Sequence, residues 1–490
     1  MKGFATRLLA CLRRLCESPA DLGSPAADGE VVQLAESSEL TTSFLLEPLA
    51  WRVRVVEHIL VDSAHNCERR RSVQCAPLRQ FLADRGFPVG AGARSAMVVV
   101  NVASVPRGPL MNFDVEGPLG SAYLLPRHAI AERQAAFLRR LATDASLVVT
   151  DGCYALLRGM VGLPLGDALA EYGTRRFSMV SYLRGGLGVV DLSRYEKQWA
   201  ELGESSVDLL GDRIDGDEDA IASLNPVMAL PEAMSLLQLP SVDSSLEVLD
   251  RALNDLFELL TEAEHADRSQ PEPGAASEFL NALADYALEY DLMVATRVSL
   301  DEPFMLKYSE RRDLNLGAWS NGGSQDVVIS DAASNHVVLE VSDPNIVLQN
   351  VRVTATNSDG ATHGGFSSRD TGQAWTFYAS DMDRDYRATL HFTARPTWRV
   401  GIVPYVVTLL LVLLTAGLWH SGTRGLGQLA IVAGPSALAA SVLLARDQST
   451  LAAHLRRRTD LLVAGALLAL LVSCVALYLG VGYLGVGATL

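Results

Sequence analysis

GIVPYVVTLLLVLLTAGLW, residues 401 to 419, contains no charged side chain. A helix rises about 1.5 Å per residue, so a run of this length crosses the roughly 30 Å of bilayer hydrocarbon. Two further apolar runs, 427–445 and about 461–484, follow it, and the expected count is three transmembrane helices within 399–490. Lys and Arg resist translocation. The loop after the second run carries Arg446, Arg456, Arg457 and Arg458, the loop after the first only Arg424, and Arg395 and Arg399 precede the first. These charges predict a multi-pass protein of the cell (inner) membrane, with a cytoplasmic N-terminal region and the C-terminus outside. The runs themselves hold no Asp, Glu, Lys, Arg or His, the residues that line ion and proton paths. Small side chains at Ala430, Ala433, Gly434, Ala437 and Ser441 allow close helix packing in the second run, within one chain or between copies.

Working back from residue 401, only Ala394 to Val400 separate the first span from a stretch of strands and turns. Strands are expected at Val327–Ile329, His336–Val341, Ile346–Thr356, Ala374–Ala379 and Tyr386–Thr393, with turns at Asp343-Pro344-Asn345 and Ser358-Asp359-Gly360. This spacing predicts a β-sandwich over 292–398. Residues 127–291 change to helical periodicity. The clearest helix there opens at the capping box Ser244-Ser245-Leu246-Glu247, carries a Leu stripe through Leu260 and breaks from His265; a second follows at Ser277–Tyr290. Residues 43–126 read as a β-rich unit beginning with a hairpin, Trp51–Val61 and Arg71–Cys75. Residues 18–42, rich in Ser, Ala, Gly and Asp, read as a linker. The fold class expected is therefore α+β: two β-rich units, the second sandwich-like, flank a helical insert ahead of the membrane bundle.

Residues 1–17 form a basic amphipathic helix on the wheel. Phe4, Ala5, Leu8, Leu9, Cys11, Leu12, Leu15 and Cys16 fill one half, Lys2, Arg7, Arg13 and Arg14 the other. Such a helix lies in an anionic leaflet or docks on its own domain, and the sequence leaves both open. Leu8-Leu9-Ala10-Cys11 resembles a lipobox, but Arg7 interrupts the apolar run that export needs.

The chain has 490 residues, 49% hydrophobic and 20% charged, with a net charge of −16 concentrated in its middle. That surface repels phosphates, so no nucleic-acid partner is expected. The expected partners are the lipid bilayer and a protein or a second copy of the chain. The six cysteines form no CxxC pair, which argues against a disulfide framework.

A strand ending in Leu306-Lys307-Tyr308-Ser309, the strand His336-Val337-Val338-Leu339-Glu340-Val341 and the spans behind them resemble a pattern in uncharacterised bacterial membrane proteins. The resemblance covers about residues 290–420 and implies the same architecture of β-rich and helical cytoplasmic parts before C-terminal helices. It implies no activity.

Candidate chemistry is sparse. His58, His65, Cys67 and Cys75 gather on the first hairpin, but H-x6-H-x-C-x7-C matches no zinc-ligand pattern, so His65, Cys67 and Cys75 rank as weak metal candidates and no metal or cofactor is expected. Arg69, Arg70 and Arg71 beside them suit a solvated strand edge, or less readily an anionic ligand. Asp381, Asp383 and Asp385 begin like a calcium loop, yet Tyr386 and Phe392 occupy its glycine and glutamate positions; Asp215, Asp217 and Asp219 fail in the same way. His363-Gly364-Gly365-Phe366 has no nucleophile elbow to serve. The expected function is a binding, scaffold or sensor protein at the cytoplasmic face; the alternatives are a tethered enzyme of another class or a subunit of a transport complex.

Overall fold

The computed structural model describes residues 30–106, 111–163, 191–211, 223–239, 242–269, 274–314, 321–329, 332–356, 367–380, 386–421 and 457–479, with single positions between them. The protein is mixed α/β with several sheets. Strands β1 (Glu30–Gln33), β2 (Arg52–Val61), β3 (Asn66–Cys75), β4 (Ala93–Pro106), β5 (Met111–Gly117), β6 (Gly120–Ser121) and β7 (Tyr123–Leu124) come before the helical region. After it come β8 (Glu289–Ser299), β9 (Phe304–Asp313), β10 (Gly322–Ile329), β11 (Ser334–Val341), β12 (Ile346–Thr356), β13 (Ser367–Asp370), β14 (Ala374–Ser380) and β15 (Tyr386–Pro396).

The two β-rich stretches of sequence are not separate bodies. The largest sheet has the order β13-β14-β11-β2-β3-β9-β5-β6, so strands from both sides of the helical region alternate within it. The hairpin β2–β3 sits between β11, which runs parallel to β2, and β9, antiparallel to β3. A four-stranded sheet, β1-β4-β8-β7, likewise joins early and late strands, while β10-β15-β12 form the third. β1 lies within the 18–42 stretch expected as linker, and the helix α1 (Ser38–Leu46) begins there. Ser37 caps α1 by accepting from Leu40 N–H at 3.1 Å.

Both smaller sheets cover one face of the large one. Near the start of β2 and the end of β3, Val55, Val73 and Leu306 pack with Val98, Val100, Leu292 and Val294 of the four-stranded sheet. Toward the other ends, Ile59, Val61, Val337 and Leu339 pack with Ile346, Leu348, Leu390 and Phe392 of the three-stranded sheet. In the second pair, β2 and β3 from the first β-rich stretch pack with strands of the 292–398 stretch. β4 is apolar on both sides because helix α2 (Arg127–Asp144) covers its other face through Ile130, against Val99 and Met293.

Between the two apolar cores runs a charged belt. Strand alternation puts Glu57, Arg69, Arg71 and Glu310 on the covered face, each at most 3% exposed. Arg69 contacts the Glu57 carboxylate through Nε, Arg71 Nη1 lies 3.8 Å from it, and Arg312 Nε reaches Glu310 at 2.5 Å. The series Arg71, Glu57, Arg69, Glu310, Arg312 alternates in sign, and Tyr308, opposite Arg71 in register, closes one end. Burial opposes charge on Arg69, but the combined attraction of Glu57, Tyr308 and Glu310 outweighs it and raises the pKa; burial lowers that of Arg71. Both stay protonated at neutral pH, since arginine titrates far above it. The arginine run is therefore not a solvated edge: β3 lies mid-sheet, and of the three only Arg70 faces water, beside Glu68 at 2.8 Å.

Helices α2, α3 (Asp151–Gly162), α4 (Glu196–Gly211), α5 (Val242–Ser269) and α6 (Ala275–Leu288) share a core of their own. The Leu stripe of α5 is buried there as its spacing predicts: Leu246, Leu249, Leu253, Leu256 and Leu260. The helix begins at Val242, ahead of the expected cap Ser244, and runs past His265 to Ser269, the last residues before Pro271. The polar residues from His265 therefore do not break the helix.

Two helices are long and apolar enough to cross a membrane, Gly401–His420 in α7 (Trp398–Ser421) and Thr459–Tyr478 in α8 (Arg457–Tyr478). They pack through Leu411, Leu418, Val463, Leu470 and Leu477. The expected run 427–445 lies outside the described residues except at Ala430, Gly434 and Ser436, which are helical. The amphipathic stretch 1–17 also lies outside them. Only Thr397 separates β15 from α7, and its N–H donates to Asn345 O at 2.7 Å. The chain later returns: Leu451 and Leu455 are 2% and 6% exposed and belong to the same core cluster as Ile59 and Phe392.

Candidate functional site

The large sheet has two unlike ends. At one, the β2–β3 tip, the turn before β12 and the start of α7 gather, tied by Ser342 N–H to Val61 O at 3.2 Å and Leu314 N–H to His65 O at 2.7 Å. At the other, about 30 Å away along the ten residues of β9, lies an open depression of about 410 Å³ lined by Glu116, Leu119, Glu302, Phe304, Met305 and Lys307. Local sequence builds it. β9 alternates, burying Phe304, Leu306 and Tyr308 and turning Met305 and Lys307 outward. The β5–β6 hairpin closes the side, with Pro118-Leu119 at its tip and Gly120 at φ 118°, a left-handed region that favours glycine. Gly117 lets the hairpin lie on β8, since a Cβ there would overlap Thr296 Oγ1.

The rim combines apolar and charged groups. Leu119 is 49% exposed and Met305 43%, and Tyr123 and Leu124 are exposed on β7. Lys307 Nζ lies 3.7 Å from Glu116 Oε2, both in water. Arg79 holds Asp301 beside the rim through two hydrogen bonds of 2.5 and 2.9 Å, which keep the Asp301 carboxyl below the usual range. The depression has the size of a small-ligand cleft but presents an open, mixed surface, which suits a protein segment laid across it.

Asp291, 4% exposed, is a buried acid outside the belt. It accepts from Asn101 Nδ2 at 2.7 Å, Ser104 Oγ at 2.9 Å, Tyr286 OH at 2.8 Å and Gln134 Nε2 at 3.4 Å. Burial raises its pKa against those hydrogen bonds and the charge of Arg52. Four donors from α2, α6 and β4 make Asp291 a knot between helices and sheet, not an acid facing a cleft.

The hairpin residues do not converge. Cys67 and Cys75 are both buried on the covered face but stand at opposite ends of β3, roughly 27 Å apart, and His65 lies in the tip, exposed. Burial pushes the Cys67 thiol up to about 11 and that of Cys75 to about 12, which disfavours the thiolate a metal needs. His58 faces the open side and bonds Glu340 at 2.8 Å. Among the described residues no group of three or more His, Cys, Asp or Glu is placed to hold a metal ion. Asp381, Asp383, Asp385, the triplet from Asp215 and the loop from His363 lie outside the described residues.

Of the orientation residues, Arg395 is exposed at the end of β15, Arg399 opens α7, and Arg457 and Arg458 open α8; Arg446 and Arg456 lie outside the described residues. Of the packing residues, Ala430 and Gly434 are exposed, and Ala433, Ala437 and Ser441 lie outside them. Sequence reasoning missed the depression. Its signal was Met305, an apolar residue on the polar phase of an alternating strand. No protein-family model, no curated protein and no solved structure matches this chain.

Proposed function

We propose that this chain is a membrane-anchored binding protein that holds a protein partner at the depression around Leu119 and Met305, about 30 Å from the bilayer. The observation that carries the reading is the sheet's polarity: α7 leaves from one end, and the exposed apolar rim lies at the other. An anchor with a presentation surface at its far end is a spacer between membrane and partner.

Three spans and a cytoplasmic soluble region belong to the same proposal. If α7 crosses the bilayer, the chain must cross back before Leu451, because Leu451 and Leu455 pack in the same core as β15. The charge-free apolar sequence of 427–445 is long enough for that return, and on this reading α8 carries the C-terminus to the opposite side. Trp398 and Tyr405 near one end of α7 and Trp419 at the other, all exposed, match interfacial aromatic belts. The arginines at 395, 399, 446 and 456–458 support a cytoplasmic soluble side, since Lys and Arg resist translocation.

The test is photo-crosslinking in cells from position 305 of the full chain. A discrete protein adduct, reduced at least fivefold by Leu119→Asp while the chain stays in the membrane at its normal level, supports the reading. Adducts unaffected by that change would refute it.

A further inference from the structure

The start of the chain leaves the fold beside the same depression. Glu30 pairs with Ala93, and two residues on, Ser95 pairs with Ser299, which lines the depression. With neighbouring strands about 4.8 Å apart, Glu30 lies roughly 10 to 15 Å from Ser299. Residues 17–29 can extend up to about 45 Å, so residues 4–16 reach the depression with length to spare. Reaching the bilayer means running back along the whole large sheet, about 30 Å.

The chemistry also fits. The apolar half of the 4–16 wheel offers Phe4, Leu8, Leu12 and Leu15 to Leu119, Phe304 and Met305. The positive charges of Arg7, Arg13 and Arg14 complement Glu116 and Glu302 on the depression, where Lys307 already engages Glu116. A short tether gives such a segment an effective concentration in the millimolar range, so weak complementarity is enough for occupancy.

We propose that residues 4–16 dock as an amphipathic helix in the depression lined by Leu119, Glu302 and Met305 and thereby compete with the protein partner for it. The regulatory part rests on the partner-binding reading above; the docking does not, and its test needs no partner.

Native Cys11 and Cys16 fall on the apolar half of the wheel, while the described cysteines Cys67, Cys75, Cys153 and Cys474 are buried. Met305→Cys in the full chain, in membrane vesicles, is oxidised with copper phenanthroline and mapped by mass spectrometry. The expected result is an intrachain disulfide from position 305 to Cys11 or Cys16, at least fivefold above that from Val148→Cys, whose parent side chain is 77% exposed on the helical region. Adding Glu116→Arg and Glu302→Arg should reduce it at least fivefold. Linkage no higher than the Val148→Cys control, linkage only between two chains, or quenching of a Cys11 fluorophore by spin-labelled lipid would each overturn the proposal. A positive disulfide with no partner adduct would leave the docking standing and remove only the competition.

Discussion

Glu57 is the residue on which the inside of the molecule turns. It is a carboxylate at 1% exposure between two arginines that are themselves buried. Removing one member of such a set leaves charge in a low-dielectric interior, which costs more than the pair itself contributes. Glu57→Ala should destabilise the protein by about 3 to 5 kcal/mol, measured as a loss of thermal stability in detergent or nanodiscs. Arg70→Ala, one position from both belt arginines but facing water, should stay within about 0.5 kcal/mol of wild type. Equal effects at the two positions would contradict the belt. The sequence Glu68-Arg69-Arg70-Arg71 in an alternating strand leaves which phase is covered undecided, because its charged residues occupy both phases. Only Val73 and Cys75 on one phase, against Ser72 and Gln74 on the other, carried that information.

At the level of elements, strand positions were largely readable and strand partners were not. Ile346–Thr356 matches β12 at both ends, since an apolar alternation between turn signals is a local property. That β2 pairs with β11, far along the chain, follows from covered faces that only the assembled sheets define. The depression was unreadable for the same reason: Leu119 and Met305 meet only after β5 pairs with β9. Asp291, at the junction of helices and sheet, gives a pH test. Its folded pKa is raised above the ordinary 3.8, so between those values the folded state holds a proton that the unfolded state has lost. Stability from this group is full below the unfolded value and falls as pH rises through the folded one. Asp291→Asn should remove that dependence, so melting curves from pH 3.5 upward should shift in the variant's favour relative to wild type as pH increases. A difference that is constant with pH would mean that Asp291 does not titrate in this way.

For the whole molecule, Leu451 and Leu455 share a core with β15, so the proposed placement keeps both on the side of the soluble region. A reporter fused after Leu490 should be active only outside the cytoplasm, and Gln448→Cys should be labelled by an impermeant maleimide only when the cytoplasmic face is open. The reverse pattern would remove the proposed placement and, with it, the distance assigned between partner and bilayer.

The interleaving of strands in the large sheet also sets an order in time. The β2–β3 hairpin ends at Cys75, but its neighbour β9 is complete only at Asp313. At translation rates of about 5 to 20 residues per second, the hairpin waits roughly 12 to 50 s for that strand. A purely apolar covered face left open for so long would invite aggregation with other nascent chains. Glu57, Arg69 and Arg71 interrupt that face with charge, so the belt that is costly to bury in the finished protein opposes such association while the face is still open.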